Sequence, residues 1–197
     1  MAGHKLAVIT GGGPGIMEAG NKGCFEAGGV SVGLNIKLPF EQTGNRYQTV
    51  GIDFNYFYAR KVCFVKYSSA FVCFPGGYGT MDEFFETLTL IQTLKVRPFP
   101  VVLYDSGYWG GLVDWIKRTL EPGGYIDGED QDIFRLVDDP QAAVDAVLDG
   151  MKTPWYQPTH GEPADTAPDA TGEGTREGEP VKPTTEDVAP QPVKPQQ

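Results

Sequence analysis

Two glycine-rich segments, each lying between an apolar run and a helical pattern, constrain the fold most. TGGGPGIMEAG (10–20) follows the apolar run at 5–10, and PGGYGTMDE (75–83) follows the run at 70–74. In a parallel α/β sheet such loops lie beyond the carboxyl ends of the strands, where ligands bind. Each loop also leads into a helix, whose first turn carries unpaired N–H groups and a positive dipole end. Two such loops predict a site for a phosphorylated small molecule.

The chain repeats this alternation of strand and helix as far as residue 150. Apolar, β-prone runs lie at 5–10, 30–34, 70–74, 99–104 and 133–137, and helical patterns at 14–28, 54–67, 79–95, 108–121 and 140–150. The runs are continuously apolar, as expected of strands covered on both faces. We therefore predict an α/β fold with a doubly wound parallel sheet flanked by helices.

Composition narrows the class of protein. A chain of 197 residues with 40% hydrophobic content suits one well-filled core. It has no apolar run of membrane-spanning length and no secretory leader pattern, so we expect a cytoplasmic protein with no membrane partner. Two histidines and three scattered cysteines (Cys24, Cys63 and Cys73) predict free, buried thiols, with neither a disulfide framework nor a metal site.

The carboxyl-terminal segment differs in composition from the rest of the chain. Residues 157–197 hold eight acidic and three basic residues, eight of the sixteen prolines and no aromatic residue. Such a segment buries too little apolar surface to offset the entropy of ordering it. We predict one domain over 1–152 and a disordered tail over 153–197. The net charge of −10 gives no sign of a nucleic-acid partner.

The first glycine loop fits neither common nucleotide motif. If Gly11 and Gly13 are the first two glycines of a dinucleotide fingerprint, the third position falls on Ile16, and the Lys-Ser/Thr of a P-loop is absent. NAD binding and ATP hydrolysis are therefore disfavoured. These glycines could instead make only a tight strand-to-helix turn, and both readings stay open.

The second loop also has a structural reading. Thr80 and Glu83 have the T-x-x-E spacing of a helix capping box, and on spacing alone that reading of Glu83 is favoured. A cap does not account for the glycines before it, which would let the backbone approach a ligand closely. In the preceding helix, Arg60 and Lys61 are adjacent cations that either face solvent or reach a phosphate or a leaving base.

The motifs TGGGPGIMEAGNKG, ARK and PGGYGTMDE, in this order, resemble those of the cytokinin-activating Lonely Guy proteins, often labelled lysine decarboxylases. The resemblance covers about residues 5–150. It implies a Rossmann-like fold, usually a homodimer, and no cofactor. The implied activity is hydrolysis of the N-glycosidic bond of nucleoside 5′-monophosphates, such as AMP or a cytokinin riboside 5′-monophosphate, to free base and ribose 5-phosphate. The decarboxylase label finds no support in the sequence, because no setting for a Schiff-base lysine is recognisable.

The resemblance also implies roles for individual residues. The motif glutamate corresponds to Glu83 and the helix arginine to Arg60, which we predict to be catalytic. A carboxylate suits an oxocarbenium-like transition state, and an arginine suits a leaving base or a phosphate. The predicted nucleotide- and phosphate-binding residues are Gly11, Gly12, Gly13, Gly15, Met17, Lys61, Gly76, Gly77, Gly79, Thr80 and Glu86.

One departure from the family pattern keeps alternatives open. A strand and helix with a glycine-serine loop usually precede the VITGGG strand, whereas here about five residues do, so we expect the chain to lack the family's first βα unit, through a misplaced start or genuine shortening. The alternatives to an enzyme are a carrier of a phosphorylated cofactor, as in related molybdenum-cofactor carriers, and an inactive, oligomerising homologue. The presence of both Arg60 and Glu83 favours the enzyme. We place the segment 35–53 at the border of the base pocket.

Overall fold

The structure, a computed structural model, describes residues 6–39 and 44–158. Its strands are β1 (Val8–Thr10), β2 (Ser31–Ile36), β3 (Val50–Phe54), β4 (Phe71–Cys73), β5 (Val101–Tyr104) and β6 (Phe134–Val137). Its α-helices are α1 (Ile16–Glu26), α2 (Phe57–Lys66), α3 (Tyr78–Gln92), α4 (Ser106–Trp115) and α5 (Pro140–Lys152). A π-helical turn (Ile116–Leu120) extends α4, and a 3-10 turn (Gly128–Ile133) precedes β6.

Every strand pairing is parallel, which confirms the predicted α/β, Rossmann-like architecture. The strands form two sheets rather than the single sheet expected, with orders β1-β2-β3 and β4-β5-β6. Within the described residues no ladder joins β1 to β4. The two sheets must therefore be held together by packing of helices and side chains.

Strand β3 was missed by the sequence analysis, which left residues 50–53 inside the segment 35–53 and placed Phe54 in the helical pattern 54–67. Four of its five residues are exposed, and it includes Gly51 and Asp53. Among the described strands it pairs with β2 alone, and it forms the edge of that sheet. An exposed edge strand does not need the continuous apolar run by which buried strands are recognised.

The main apolar core lies against the second sheet. Val101 and Leu103 of β5 are completely buried and share one cluster with Phe84 of α3 and Trp109 of α4. Val65, near the end of α2, belongs to the same cluster. Because α2 also contacts β2 and β3, this helix connects the two sheets.

The chain stays packed on the domain for a few residues beyond α5. Tyr156 is 5% exposed and its hydroxyl donates a hydrogen bond to Asp130 at 3.1 Å. The guanidinium of Arg135 lies 4.1 Å from the centre of the Trp155 ring. The remainder of the predicted tail, 159–197, lies outside the described residues. No helix in the described ranges combines the length and apolar character needed to cross a membrane.

Candidate functional site

Arg60 lies against the first glycine loop. Its Nε donates a hydrogen bond to the carbonyl of Leu34 in β2 at 2.9 Å, which holds the guanidinium beside the carboxyl end of that strand. A side chain at Gly11 would overlap this guanidinium and approach Sδ of Met17 to 2.8 Å. Gly11 therefore has to be a glycine for Arg60 to reach this position, and the structure brings Gly11, Met17 and Arg60 together.

Glu83 of α3 lies within electrostatic reach of Arg60. Burial lowers the pKa of the Arg60 guanidinium, and the Glu83 carboxylate opposes that shift. Burial raises the pKa of Glu83, and so do the neighbouring charges of Glu86 and Asp82, whereas Lys61 and Arg60 lower it. Oε2 of Glu83 is buried and accepts no hydrogen bond from the described residues. The site therefore contains a partly desolvated carboxylate oxygen without a fixed donor.

Lys61 joins α2 to α3. Its Nζ lies 2.5 Å from Oε2 of Glu86 and 2.9 Å from Oδ1 of Asp82. Burial disfavours the charged lysine, but the hydrogen bonds to Glu86 and Asp82 outweigh it and raise the pKa of Lys61. The structure thus pairs Lys61 with Glu86, two of the predicted ligand contacts, in an ion pair beside Glu83.

The capping box suggested by the spacing of Thr80 and Glu83 is not formed. Helix α3 begins at Tyr78, and Gly77 occupies the N-cap position with no side-chain hydrogen bond. Thr80 is therefore the third residue of the helix, and its N–H donates to the carbonyl of Gly77 at 3.0 Å. The structural explanation of Glu83 that the spacing favoured is wrong, because the helix starts two residues before Thr80.

The glycines of the second loop differ in their surroundings. A side chain at Gly76 would overlap that of Thr80, whereas nothing lies within 4 Å of a Cβ placed at Gly77 or Gly79. The loop therefore packs tightly against Thr80 on one side and leaves open space at the start of α3. Tyr108 of α4 donates its hydroxyl to the carbonyl of Gly76 at 2.5 Å. Sequence analysis missed Tyr108, although its position shortly after β5 puts it at the same edge of the sheet.

The first loop is held by residues that the sequence analysis also missed. Gly12 and Gly15 have φ angles of 74° and 69°, which favour glycine. The carbonyls of Gly12 and Gly13 accept hydrogen bonds from Asn45, and that of Gly12 also from Gln48. Both side chains belong to the segment 35–53, which was expected to border the pocket but offered no motif.

The other candidate groups are the cysteines and the residue types that bind metals. The three cysteines are free, as predicted, with Cys24 and Cys73 buried and Cys63 partly buried. Burial raises the pKa of the Cys73 thiol to about 12, which removes its nucleophilic thiolate at neutral pH. In the part of the chain that the structure describes, no three His, Cys, Asp or Glu side chains gather closely enough to hold a metal ion.

Comparison with known proteins places this chain in a family. Cytokinin riboside 5′-monophosphate phosphoribohydrolase LOG1 of Arabidopsis thaliana is 34% identical over 124 residues, covering 61% of this chain and 57% of the relative. A second relative, the probable cytokinin riboside 5′-monophosphate phosphoribohydrolase LOG4 of Oryza sativa subsp. japonica, is 30% identical over 139 residues. This match covers 68% of this chain and 59% of the relative. The chain thus spans less than two thirds of the length of these curated relatives.

A solved structure and a family model agree with these relatives. The X-ray structure of TM1055, a Northeast Structural Genomics Consortium target, is 29% identical and has a TM-score of 0.53. The alignment covers 75% of this chain and 81% of that one. The family described as possible lysine decarboxylase matches residues 17–147, well over half of the chain. The chain therefore belongs to this family, that of the Lonely Guy phosphoribohydrolases.

Proposed function

We propose that the protein hydrolyses the N-glycosidic bond of a nucleoside 5′-monophosphate, AMP or a cytokinin riboside 5′-monophosphate, to free base and ribose 5-phosphate. The observation that carries this proposal is the placement of Glu83 within electrostatic reach of Arg60, whose guanidinium lies against the first glycine loop. The names of the curated relatives, cytokinin riboside 5′-monophosphate phosphoribohydrolases, support the same reaction.

Glu83 is the residue that we assign to the reacting carbon. Cleavage breaks the bond between C1′ and the base nitrogen and develops positive charge on the ribose, which a carboxylate stabilises. Water then adds its oxygen to C1′, and its proton goes to the departing base. A carboxylate oxygen that is buried and lacks a donor is free to face that charge or to accept a proton from the water.

Arg60 is the residue that we assign to negative charge on the substrate. The Nε bond to Leu34 fixes the guanidinium plane, so its remaining N–H groups have a defined direction. An arginine stays protonated at neutral pH even when burial lowers its pKa. It can therefore stabilise the phosphate or the leaving base, while the N–H groups of both glycine loops hold the phosphate.

Lys61 does not suit the decarboxylase chemistry in the family description. A lysine that forms a Schiff base needs a lowered pKa, so that the amine is neutral and nucleophilic. The hydrogen bonds from Lys61 to Glu86 and Asp82 raise its pKa. The lysine at this site thus serves better as a fixed cation that positions α3 and the Glu83 it carries.

We also propose that the protein is a homodimer that uses the outer face of α2. Large side chains on and next to this helix are more than half exposed, as is Tyr78 at the start of α3. They are Tyr56 (63%), Phe57 (54%), Tyr58 (69%) and Val62 (58%). Apolar patches of this kind mark interaction surfaces, and pairing here would cover them next to the site.

Replacing Glu83 with glutamine should abolish base release while leaving nucleotide binding nearly unchanged. The amide keeps the shape but carries no charge for the oxocarbenium-like state, so we expect kcat to fall about 10²- to 10⁴-fold. Chromatography of free adenine and ribose 5-phosphate from AMP, and of base from isopentenyladenosine monophosphate, measures turnover. The control is Glu26→Gln on the surface of α1, where Glu26 faces Lys22 at 3.8 Å. A wild-type protein that binds AMP but releases no base would support the carrier alternative.

Replacing Arg60 with lysine should lower kcat/KM by roughly 10²-fold, because lysine keeps the charge but loses the fixed, forked donors. Steady-state kinetics with AMP measures the effect. Arg118→Lys is the matched control, since Arg118 pairs only with Asp114 on an exposed surface. Equal activity of the Arg60→Lys and Arg118→Lys variants would contradict the assigned role.

The raised pKa of Glu83 predicts how stability depends on pH. Because the folded-state pKa lies above the unfolded value, the native state binds the proton more tightly, and stability declines as pH rises through the folded pKa. Glu83→Gln is neutral at every pH, so it should unfold at a higher temperature than the wild type at pH 8. That difference should shrink as the pH falls toward about 4.3, the ordinary glutamate value. Thermal denaturation of both proteins across this pH range tests the expectation. A difference in unfolding temperature that stays constant with pH would argue against it.

Light scattering on the purified protein should give twice the chain mass of 21.4 kDa. Tyr58→Glu should shift the protein toward monomer, because it places a charge in the proposed apolar interface. Val30→Glu, at a residue that is also 54% exposed but precedes β2, should leave the mass unchanged. A monomeric wild type would refute the dimer without affecting the proposed reaction.

A further inference from the structure

The side chain of Gln48 occupies a space surrounded by four glycines. A Cβ placed at Gly12, Gly44 or Gly51 would lie 2.9 Å from its amide atoms, and one at Gly33 would lie closer still. Real Cβ atoms do not approach other atoms so closely. Gly12 belongs to the first glycine loop, Gly33 to β2 and Gly51 to β3, and Gly44 lies shortly before Gln48. Four separate parts of the chain thus lack a side chain where this one glutamine lies.

The amide of Gln48 has a partner at both ends. Its Nε2 donates to Oδ1 of Asn35 at 3.1 Å, and Nδ2 of Asn35 donates back to its Oε1 at 3.2 Å. Asn35 Nδ2 also donates to Oδ1 of Asp53 at 3.2 Å, and a carboxylate only accepts. That acceptor orients the Asn35 amide, which in turn orients the Gln48 amide and directs its Nε2 toward the glycine loop.

The carbonyl of Gly12 is the group on which these contacts converge. It accepts from Nε2 of Gln48 at 3.1 Å, from the N–H of Asn45 at 2.8 Å and from Nδ2 of Asn45 at 3.1 Å. Asn45 Nδ2 also lies 2.8 Å from Oδ1 of the completely buried Asn21. Donors from two anchored side chains therefore hold the plane of the peptide between Gly12 and Gly13.

The orientation of this peptide has a consequence for ligand binding. No peptide bond in the described residues is cis, so the N–H of Gly13 points opposite to the carbonyl of Gly12. With that carbonyl turned toward the amides of Gln48 and Asn45, the Gly13 N–H is directed away from them. The N–H groups of an anion-binding loop must not be taken up by nearby protein acceptors, so that they can donate to the ligand.

We propose that Gln48 is a positioning residue for the phosphorylated ligand, acting through the Gly12 carbonyl to hold the first glycine loop in its ligand-receiving conformation. The inference rests on the proposed function in one respect, namely that this loop binds the nucleotide. Asn35 supports Gln48, and the four surrounding glycines provide its space.

Gln48→Met tests the proposal, because methionine has a similar length and suits the same space but cannot donate to Gly12. Hydrogen exchange of the 11–17 segment in the ligand-free protein should accelerate about tenfold, since the N–H of Gly12, bonded to Oγ1 of Thr10, loses protection. The calorimetric Kd for AMP should rise about tenfold while kcat changes less than about threefold, because the loop binds rather than reacts. Gln141→Met is the control, since Gln141 contacts Asp145 on the surface of α5.

A second variant guards against failure of the first to fold. Gly51→Ala retains the Gln48 amide but displaces it, because the new Cβ would lie 2.9 Å from Oε1 of Gln48. We expect Gly51→Ala to speed hydrogen exchange of the loop and to weaken AMP binding, as Gln48→Met does.

Unchanged hydrogen exchange in a folded Gln48→Met protein would overturn the proposal. Faster exchange with no loss of affinity, or a fall in kcat at unchanged affinity, would overturn it as well. If the wild type binds AMP without releasing base and Gln48→Met weakens that binding, the positioning role stands and only the hydrolase proposal fails.

Discussion

Helix α2, which contacts the first sheet and the apolar core of the second, is the constraint on which the rest of the structure depends. The described residues show no hydrogen-bonded ladder between the two sheets, and side chains of this helix reach both of them. Val65 enters the apolar core of the second sheet, Arg60 bonds to the carbonyl of Leu34 in the first, and Lys61 pairs with two carboxylates of α3. These contacts hold Arg60 and Glu83 within electrostatic reach of each other.

The two halves of the fold, one around each sheet, are stabilised by different kinds of interaction. The second sheet is held by an apolar core that includes completely buried residues of β5. In the first half, the completely buried Asn21 and Ser31 bond to each other at 2.8 Å, and Asn21 also accepts from Thr10. Apolar contacts are not directional, whereas hydrogen bonds have defined directions. The polar half is thus suited to fixing the peptide planes of a ligand-binding loop.

Local patterns predicted most of the fold. The apolar runs before both glycine loops and the helical pattern at 79–95 coincide closely with β1, β4 and α3, because buried strands and amphipathic helices have strong periodic signals. Elements and contacts without a periodic signal were not predicted. Strand β3 is an exposed edge, and the spacing of Thr80 and Glu83 resembled a cap although Gly77 is the N-cap and the helix begins at Tyr78. Spacing cannot tell where a helix starts when glycines precede it.

The sequence by itself determined the class of fold, the two glycine loops at the ends of strands, and the residue types available for chemistry. Only the tertiary structure decided which of these residues meet. It joined Lys61 to Glu86, left Oε2 of Glu83 without a donor, and brought Gln48 to the carbonyl of Gly12, which lies 36 residues earlier. Such contacts depend on how strands and helices pack across the chain, and no local pattern of residues encodes them.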